Sequence, residues 1–151
     1  MTAAAAGDFK LREATAADRP TVASLLGESR LPLAGISESL DGFFVAEAGT
    51  SVIGAIGLET YGDYGLLRSA AVSESVRGRG VGRALVERVI DSARESGLAG
   101  IYLLTTTAEG YFPSFGFTRV ERETVAAPVT ESVEFADACP ASAAVLYLAL
   151  A

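Results

Sequence analysis

Histidine is absent from the 151 residues of this chain. That removes the commonest general base and the commonest metal ligand, so proton transfer would fall to carboxylates, tyrosine or water, and no metal is expected. The one cysteine, Cys139, cannot form an internal disulfide and suits a reducing cytoplasm. Lys10 is the only lysine, and 12 basic residues stand against 19 acidic ones, giving a formal charge of −7. Such a balance argues against nucleic acid and anionic membranes as partners. No stretch is long and apolar enough to span a bilayer. Residues 1–7 are alanine-rich and too short for a signal peptide, and read as a flexible tail. Residues 8–151 have the size of a single domain, able to bury about two-thirds of the surface of the unfolded chain.

What is present is an orderly change of hydrophobic period. Residues 9–12 read as a first strand. Thr15, with Asp18 three positions on, reads as an N-cap opening a helix to about Glu28. Pro32 and Gly35 place a loop with a short helix over residues 31–40. Residues 43–48 and 52–61 are apolar runs separated by Gly49 and Thr50, a hairpin signal. Gly62 and Asp63 then turn the chain into a strand over 64–72. Val81, Leu85, Val86, Val89 and Ile90 mark one face of a helix that should stop near Gly97. Residues 101–106 read as a central strand and 109–115 as a short helix interrupted by Pro113. Strands over 117–121 and 143–150 follow, separated by a segment with Pro128 and Pro140 around a possible short helix. There is no internal repeat and no linker dividing the domain. The class is α/β (α+β), a mixed sheet of six to seven strands with about four helices.

Between the strand ending at Val72 and the helix beginning near Val81 runs Arg77-Gly78-Arg79-Gly80-Val81-Gly82-Arg83. Glycines at such a junction permit unusual dihedrals and close ligand approach. A helix that opens there aims unpaired N–H groups and partial positive charge at the loop. With forked arginine donors beside it, the turn is suited to phosphate. It is neither the dinucleotide fingerprint, whose glycine spacing differs, nor a nucleotide P-loop, since Gly82 is followed by Arg83 and Ala84.

The pattern Arg/Gln-x-x-Gly-x-Gly/Ala is met in full from Arg77 to Gly82, and here the chain resembles the GNAT superfamily of acyl-CoA-dependent N-acyltransferases. The element order matches the GNAT fold over nearly the whole length. Further segments resemble one branch in particular, the arsenic-resistance N-acetyltransferases, relatives of amino-acid (glutamate) N-acetyltransferases. These are Leu67-Arg68-Ser69-Ala70-Ala71-Val72, the stretch from Tyr102 to Gly110, and Phe135 with Cys139-Pro140-Ala141-Ser142-Ala143. The resemblance implies acetyl-CoA as co-substrate, its pyrophosphate held by Arg77, Gly78, Arg79, Gly80, Val81, Gly82 and Arg83. It implies further coenzyme contacts from Ala70, Ala71, Val72, Ala108 and Phe112, a small-molecule amine as acceptor, and a homodimer through the C-terminal strands.

By the same resemblance the backbone N–H of Val72 faces the thioester oxygen as oxyanion donor. The family's usual acid, a tyrosine four residues after Ala108, is replaced by Phe112, which has no proton to give. Tyr111 is adjacent, but one residue on a helix turns a side chain by about 100°, so it serves either as the acid or in packing. Without the acid, water would protonate a thiolate that leaves well in any case. Glu59, in an otherwise apolar strand, is either a general base or the ion-pair partner of Arg68. Glu109 has the same standing beside the acceptor. Arg68, four residues before Val72, falls on its face by a period of two. There it either grips an acceptor carboxylate as a bidentate pair or pairs with an acid on a wet face. Cys139 reads as a buried small residue starting the last strand. The alternative to an N-acetyltransferase is an acyl-CoA-binding module that has kept the fold and lost catalysis.

Overall fold

The apolar runs assemble into one mixed sheet of seven strands in the order β1-β2-β3-β4-β5-β7-β6. They do so in a computed structural model that describes residues 9–31, 36, 39–76, 80–105, 111–130 and 143–150. The strands are β1 (Lys10–Glu13), β2 (Phe43–Ala48), β3 (Ser51–Tyr61), β4 (Tyr64–Val72), β5 (Gly100–Thr105), β6 (Thr118–Val120) and β7 (Ala144–Ala149). All seven expected strands are present, with boundaries within a residue or two of those read from the sequence. β1 to β4 form an antiparallel meander, β4 and β5 are parallel, and β7 lies antiparallel between β5 and β6.

Helix α1 (Arg19–Glu28) begins after a 3-10 turn at Ala16–Asp18. Thr15, expected to open the helix, caps this turn instead, its backbone N–H donating to Asp18 Oδ2 at 2.8 Å, and Asp18 is the N-cap of α1. Helix α2 (Val81–Glu95) buries Val81, Leu85, Val86, Val89, Ile90 and Ala93, the apolar face expected from the period. It ends at Gly97 with φ of 75°, and Leu98 N–H bonds back to the Ala93 carbonyl at 3.0 Å, a Schellman closure that spares an L-residue the left-handed region.

The expectation of about four helices is corrected: among the described residues only α1 and α2 exceed one turn. A third helix, α3 (Ala127–Thr130), is a single turn, and Phe112–Phe115 and Arg122–Thr124 are 3-10 turns. The reason at 112–115 is local. Pro113 brings no N–H, Gly116 stands at φ of 102°, and the segment closes with bonds from Ser114 N–H to Tyr111 and from Gly116 N–H to Pro113. Four residues so bounded cannot propagate α-helix. Residues 32–35, 37–38 and 131–142, where further helix was expected, lie outside the described residues, as do residues 1–8 and Cys139.

One face of the sheet packs under α2, with Phe44, Ile56, Leu67, Ile101, Leu103 and Leu146 against Leu85, Val86 and Val89. On the opposite face, Val22, Leu25 and Leu26 of α1 cover Val45, Ala55 and Ala71. Beyond them, Val125 and Val129 cover Leu66, Tyr102 and Val145.

Besides a register shift between β2 and β3 at Ala46 and Glu47, the sheet departs from regular pairing at two places on β4. The parallel ladder of β4 and β5 consists of Tyr64↔Gly100, Gly65↔Ile101 and Leu66↔Tyr102, after which no further pairs join the two strands. A fork opens there. In the antiparallel ladder of β3 and β4, the pairs Gly57↔Arg68 and Ala55↔Ala71 enclose one residue of β3, Ile56, but two of β4, Ser69 and Ala70. This is a β-bulge, and Ser69 adopts φ of 61° within it, a region that non-glycine residues rarely enter.

Candidate functional site

The fork between β4 and β5 meets the start of α2, and glycine sets their approach. Gly54 pairs with Val72, and a Cβ on it would stand 3.0 Å from Leu85 Cδ1 and 3.1 Å from Val81 Cγ1. A side chain at 54 would push α2 off the sheet. With glycine there, the first turn of α2 settles against the end of β4. Gly80 is the N-cap at φ of 86° and ψ of 1°, left-handed and exposed. Ala84 N–H makes the first helical bond, to the Gly80 carbonyl at 3.1 Å. The amides of Val81, Gly82 and Arg83 precede that bond and form the positive end of the helix. These groups fit an anionic ligand such as the coenzyme's phosphates. Arg77, Gly78 and Arg79, expected beside them, lie outside the described residues, as do Ala108 and Glu109.

Val72 closes β4 beside this turn. The N–H of Ser73 donates to the Ile53 carbonyl on β3 at 2.7 Å. Consecutive amides of a strand alternate in direction, so the Val72 N–H points to the other edge, toward the fork. Ala70, in the bulge, is exposed, whereas Ala71 is buried under α1.

Tyr111 reaches the same place from the other side of the fork. A Cβ on Gly82 would lie 3.5 Å from the Tyr111 hydroxyl and 3.6 Å from Val72 Cγ2, so phenol, Val72 side chain and helix start bracket one small volume. The ring is 43% exposed, and stands edge-on to Phe112 at 5.2 Å and to Phe115 at 5.3 Å. Arg83 lies over Phe115 at 4.9 Å and pairs with Glu87 at 3.5 Å, which ties the aromatic turn to α2. Burial pushes the Tyr111 phenol above its ordinary value, opposed by the Arg83 charge and reinforced by that of Glu87. It therefore keeps its proton at neutral pH. Phe112 turns the opposite way. It is 6% exposed and packs on Phe117 at 5.7 Å within the core beneath α2.

The expected pairing of Arg68 and Val72 on one face is not observed. The extra residue of the bulge reverses the alternation, so Arg68 shares its face with Ala55 and Ala71, while Val72 shares the α2 face with Gly54. Arg68 thus lies two residues beyond the last β4–β5 pair, on the face away from α2. Its side chain has 0% exposure and donates from Nη1 to Glu59 Oε2 at 3.2 Å. Nε donates to Ser69 Oγ at 2.9 Å, and Tyr61 Oη donates to Glu59 Oε1 at 2.7 Å. Of the two roles open to Glu59 from the sequence, the ion pair with Arg68 is the one seen. Ser69 is the residue that sequence reasoning missed, and the hydrogen bond from Tyr61 to Glu59 was not foreseen. Tyr61 follows Glu59 at the strand's period of two, which was a usable signal; nothing local announces a bulge at a serine.

Among the described residues, no group of three or more His, Cys, Asp or Glu could hold a metal ion, and no helix is long and apolar enough to cross a membrane.

A twisted mixed sheet that forks beside a glycine-opened helix defines the class, and sequence comparison agrees. Residues 11–119 match the acetyltransferase (GNAT) family, and the chain belongs to that family. It is similar to the amino-acid acetyltransferase of Mycobacterium tuberculosis, 31% identical over 133 residues, or 82% of this chain and 76% of that protein. Among solved structures it resembles a Mycobacterium tuberculosis protein in complex with CoA, with a TM-score of 0.80 and 26% identity over 94% of this chain and 99% of that one. The N-acetylglutamate synthase of Neisseria gonorrhoeae, complexed with coenzyme A and N-acetyl-glutamate, shares the fold at a TM-score of 0.80 and 24% identity, over 95% of this chain and 35% of that one. The protein is an N-acyltransferase that uses acetyl-CoA as co-substrate.

Proposed function

We propose that this enzyme acetylates the amine of a small amino acid, or of a toxic arsenic-type amino-acid analogue, by direct attack of the amine on the acetyl-CoA thioester. The observation that carries the reading is the likeness to an amino-acid acetyltransferase over most of both chains, together with a glycine-opened helix start beside the fork that suits the coenzyme's phosphates. The amino-acid acetyltransferase of Mycobacterium tuberculosis supports an amino-acid acceptor. The arsenic-type analogue rests on the motifs around Arg68, Ala108 and Cys139.

In this reading Arg77, Gly78, Arg79, Gly80, Val81, Gly82 and Arg83 hold the pyrophosphate, and Ala70 and Ala108 line the coenzyme path, whereas Ala71 and Phe112, expected there too, are buried in the cores under α1 and α2. The Val72 N–H stabilises the oxyanion as the amine adds to the carbonyl carbon. One such donor is worth on the order of 10²–10³ in rate. Tyr111, rather than Phe112, gives its phenolic proton to the departing sulfur. The attacking amine loses its proton to water or Glu109. The enzyme acts in the cytoplasm, as a single domain over residues 8–151 and as a homodimer through the C-terminal strands.

The test is an acceptor screen with glutamate, aspartate and arsenic or phosphorus amino-acid analogues, read as thiol release from acetyl-CoA. Release above background with one or more of these is expected. Tight CoA binding with no turnover of any acceptor would instead favour an acyl-CoA-binding module.

A further inference from the structure

We propose that Ser69, clamped by Arg68, Glu59 and Tyr61, is a positioning residue that turns the Val72 N–H into the fork. This rests on the reading of that N–H as the oxyanion donor. Which edge of β4 an amide faces is set by counting along the strand. Before the bulge, odd-numbered residues face β5: the Asp63 carbonyl, just ahead of β4, accepts from Ala99 N–H at 2.7 Å, and Gly65 and Leu67 follow by alternation. After the bulge, odd-numbered residues face β3, since Ser73 N–H donates to the Ile53 carbonyl at 2.7 Å. The extra residue makes the difference. In a regular strand Val72 would turn its N–H to β3, and the fork would lose its donor.

Serine has no preference of its own for the conformation that the bulge imposes. Ser69 stands at φ of 61°, where glycine would enter freely, and such strain persists only where neighbouring groups fix it. Arg68 Nε donates to Ser69 Oγ at 2.9 Å, a buried bond from a charged donor. Arg68 Nη1 donates to Glu59 Oε2 at 3.2 Å, and Tyr61 Oη donates to the other oxygen of Glu59 at 2.7 Å. Glu59 and Tyr61 belong to β3, so this chain of bonds ties the strained residue of one strand to the strand it pairs with. Buried ion pairs seldom stabilise a fold better than apolar side chains of the same volume would, and their best-attested use is to fix register. At a bulge, register is what is at stake: a slip of one residue turns every later side chain and amide of β4 to the opposite side.

The experiment reads the stretching frequency of the thioester carbonyl in bound acetyl-CoA, isotopically labelled at that carbon, which falls as the oxygen accepts a stronger hydrogen bond. No acceptor is needed. Isotope-edited infrared spectra at saturating acetyl-CoA compare wild type, Ser69→Ala, Ser69→Gly and a protein with an ester in place of the Val72 amide. The ester has no N–H and should raise the frequency above that of wild type. Ser69→Ala keeps the strain without the clamp and should raise it part of the way, while CoA affinity, measured by calorimetry, changes less than about threefold. Ser69→Gly takes the left-handed conformation unaided and should stay near wild type. A wild-type frequency in Ser69→Ala would overturn the inference with the donor left in place. A rise in Ser69→Gly as large as in Ser69→Ala would overturn it too, because the hydroxyl would then not act by holding the backbone. If Ser69→Ala fails to fold, Tyr61→Phe, which frees one oxygen of Glu59 and keeps the ring, decides by the same rise or its absence. An ester protein with the wild-type frequency would show that Val72 is not the donor, and the underlying reading fails.

Discussion

Substituting Gly80 separates what the glycine turn does for folding from what it does for the ligand. Gly80 sits at φ of 86°, and a Cβ there would meet nothing within 4 Å, so alanine suffers no clash and pays only for the left-handed backbone. That strain is about 1–2 kcal/mol, or about 2–8 °C in Tm for a chain of this size. Glutamate carries the same strain and adds a carboxylate beside the helix start. The position is exposed, so each charge pair at about 4 Å costs nearer 1 kcal/mol than the 4 kcal/mol of a lower dielectric. Against the two charges of a pyrophosphate the loss is about 2–3 kcal/mol, or roughly 30- to 150-fold in affinity. Gly80→Gln matches the size without the charge. Calorimetric titration with CoA should therefore rank wild type, Ala and Gln close together and Glu far weaker. The gap between Gln and Glu should shrink at high salt, while the melting temperatures of all three variants fall together. CoA binding by Gly80→Glu as tight as that by Gly80→Ala would refute the placing of the phosphate at this turn.

Tyr111→Phe keeps the ring contacts and should leave Tm nearly unchanged. If the phenol is the acid, single-turnover acetyl transfer slows by roughly 10²-fold, and the wild type's loss of activity at alkaline pH, where the raised phenol finally ionises, disappears from the profile; a rate within twofold of wild type would return the proton to water. Phe112→Tyr places a hydroxyl in the core against Phe117 and should cost about 1–3 kcal/mol in denaturant unfolding without raising kcat; a faster enzyme would show that residue 112 faces the sulfur. Asp18, held by the Arg12 guanidinium at 2.9 Å, titrates at about 2 in place of 3.8. Because the folded value is the lower one, its contribution of about 2 kcal/mol is complete above pH 4 and is lost as pH falls toward 2. Asp18→Asn should remove that dependence, and urea midpoints at pH 7 and pH 3 check it.

The strands were legible because each carries an apolar run closed by a turn, as Phe43–Ala48 and Tyr64–Val72 do before Gly49 and after Gly62. Helix α2 was legible from its period, and its end from Gly97. Period fails where the sheet itself departs from it. The bulge at Ser69 and Ala70 moves Arg68 to the face opposite Val72, and no glycine or proline marks the spot. The short helices failed for the opposite reason: Pro113 and Gly116 were visible, but four residues between them make a 3-10 turn rather than a helix. At the site, the glycine turn could be read from residue types alone. The direction of Tyr111 could not, because it depends on that turn's geometry, which brings the phenol toward Gly82 and buries its neighbour Phe112.

The most direct test is to measure, at saturating acetyl-CoA, free thiol and N-acetylated product together as each α-amino acid of the panel is added. An amino-acid acetyltransferase should release the two in equal amounts with at least one amino acid, at a rate that saturates with its concentration. Thiol release no faster with any amino acid than with buffer alone, from a protein that binds CoA, would contradict that function.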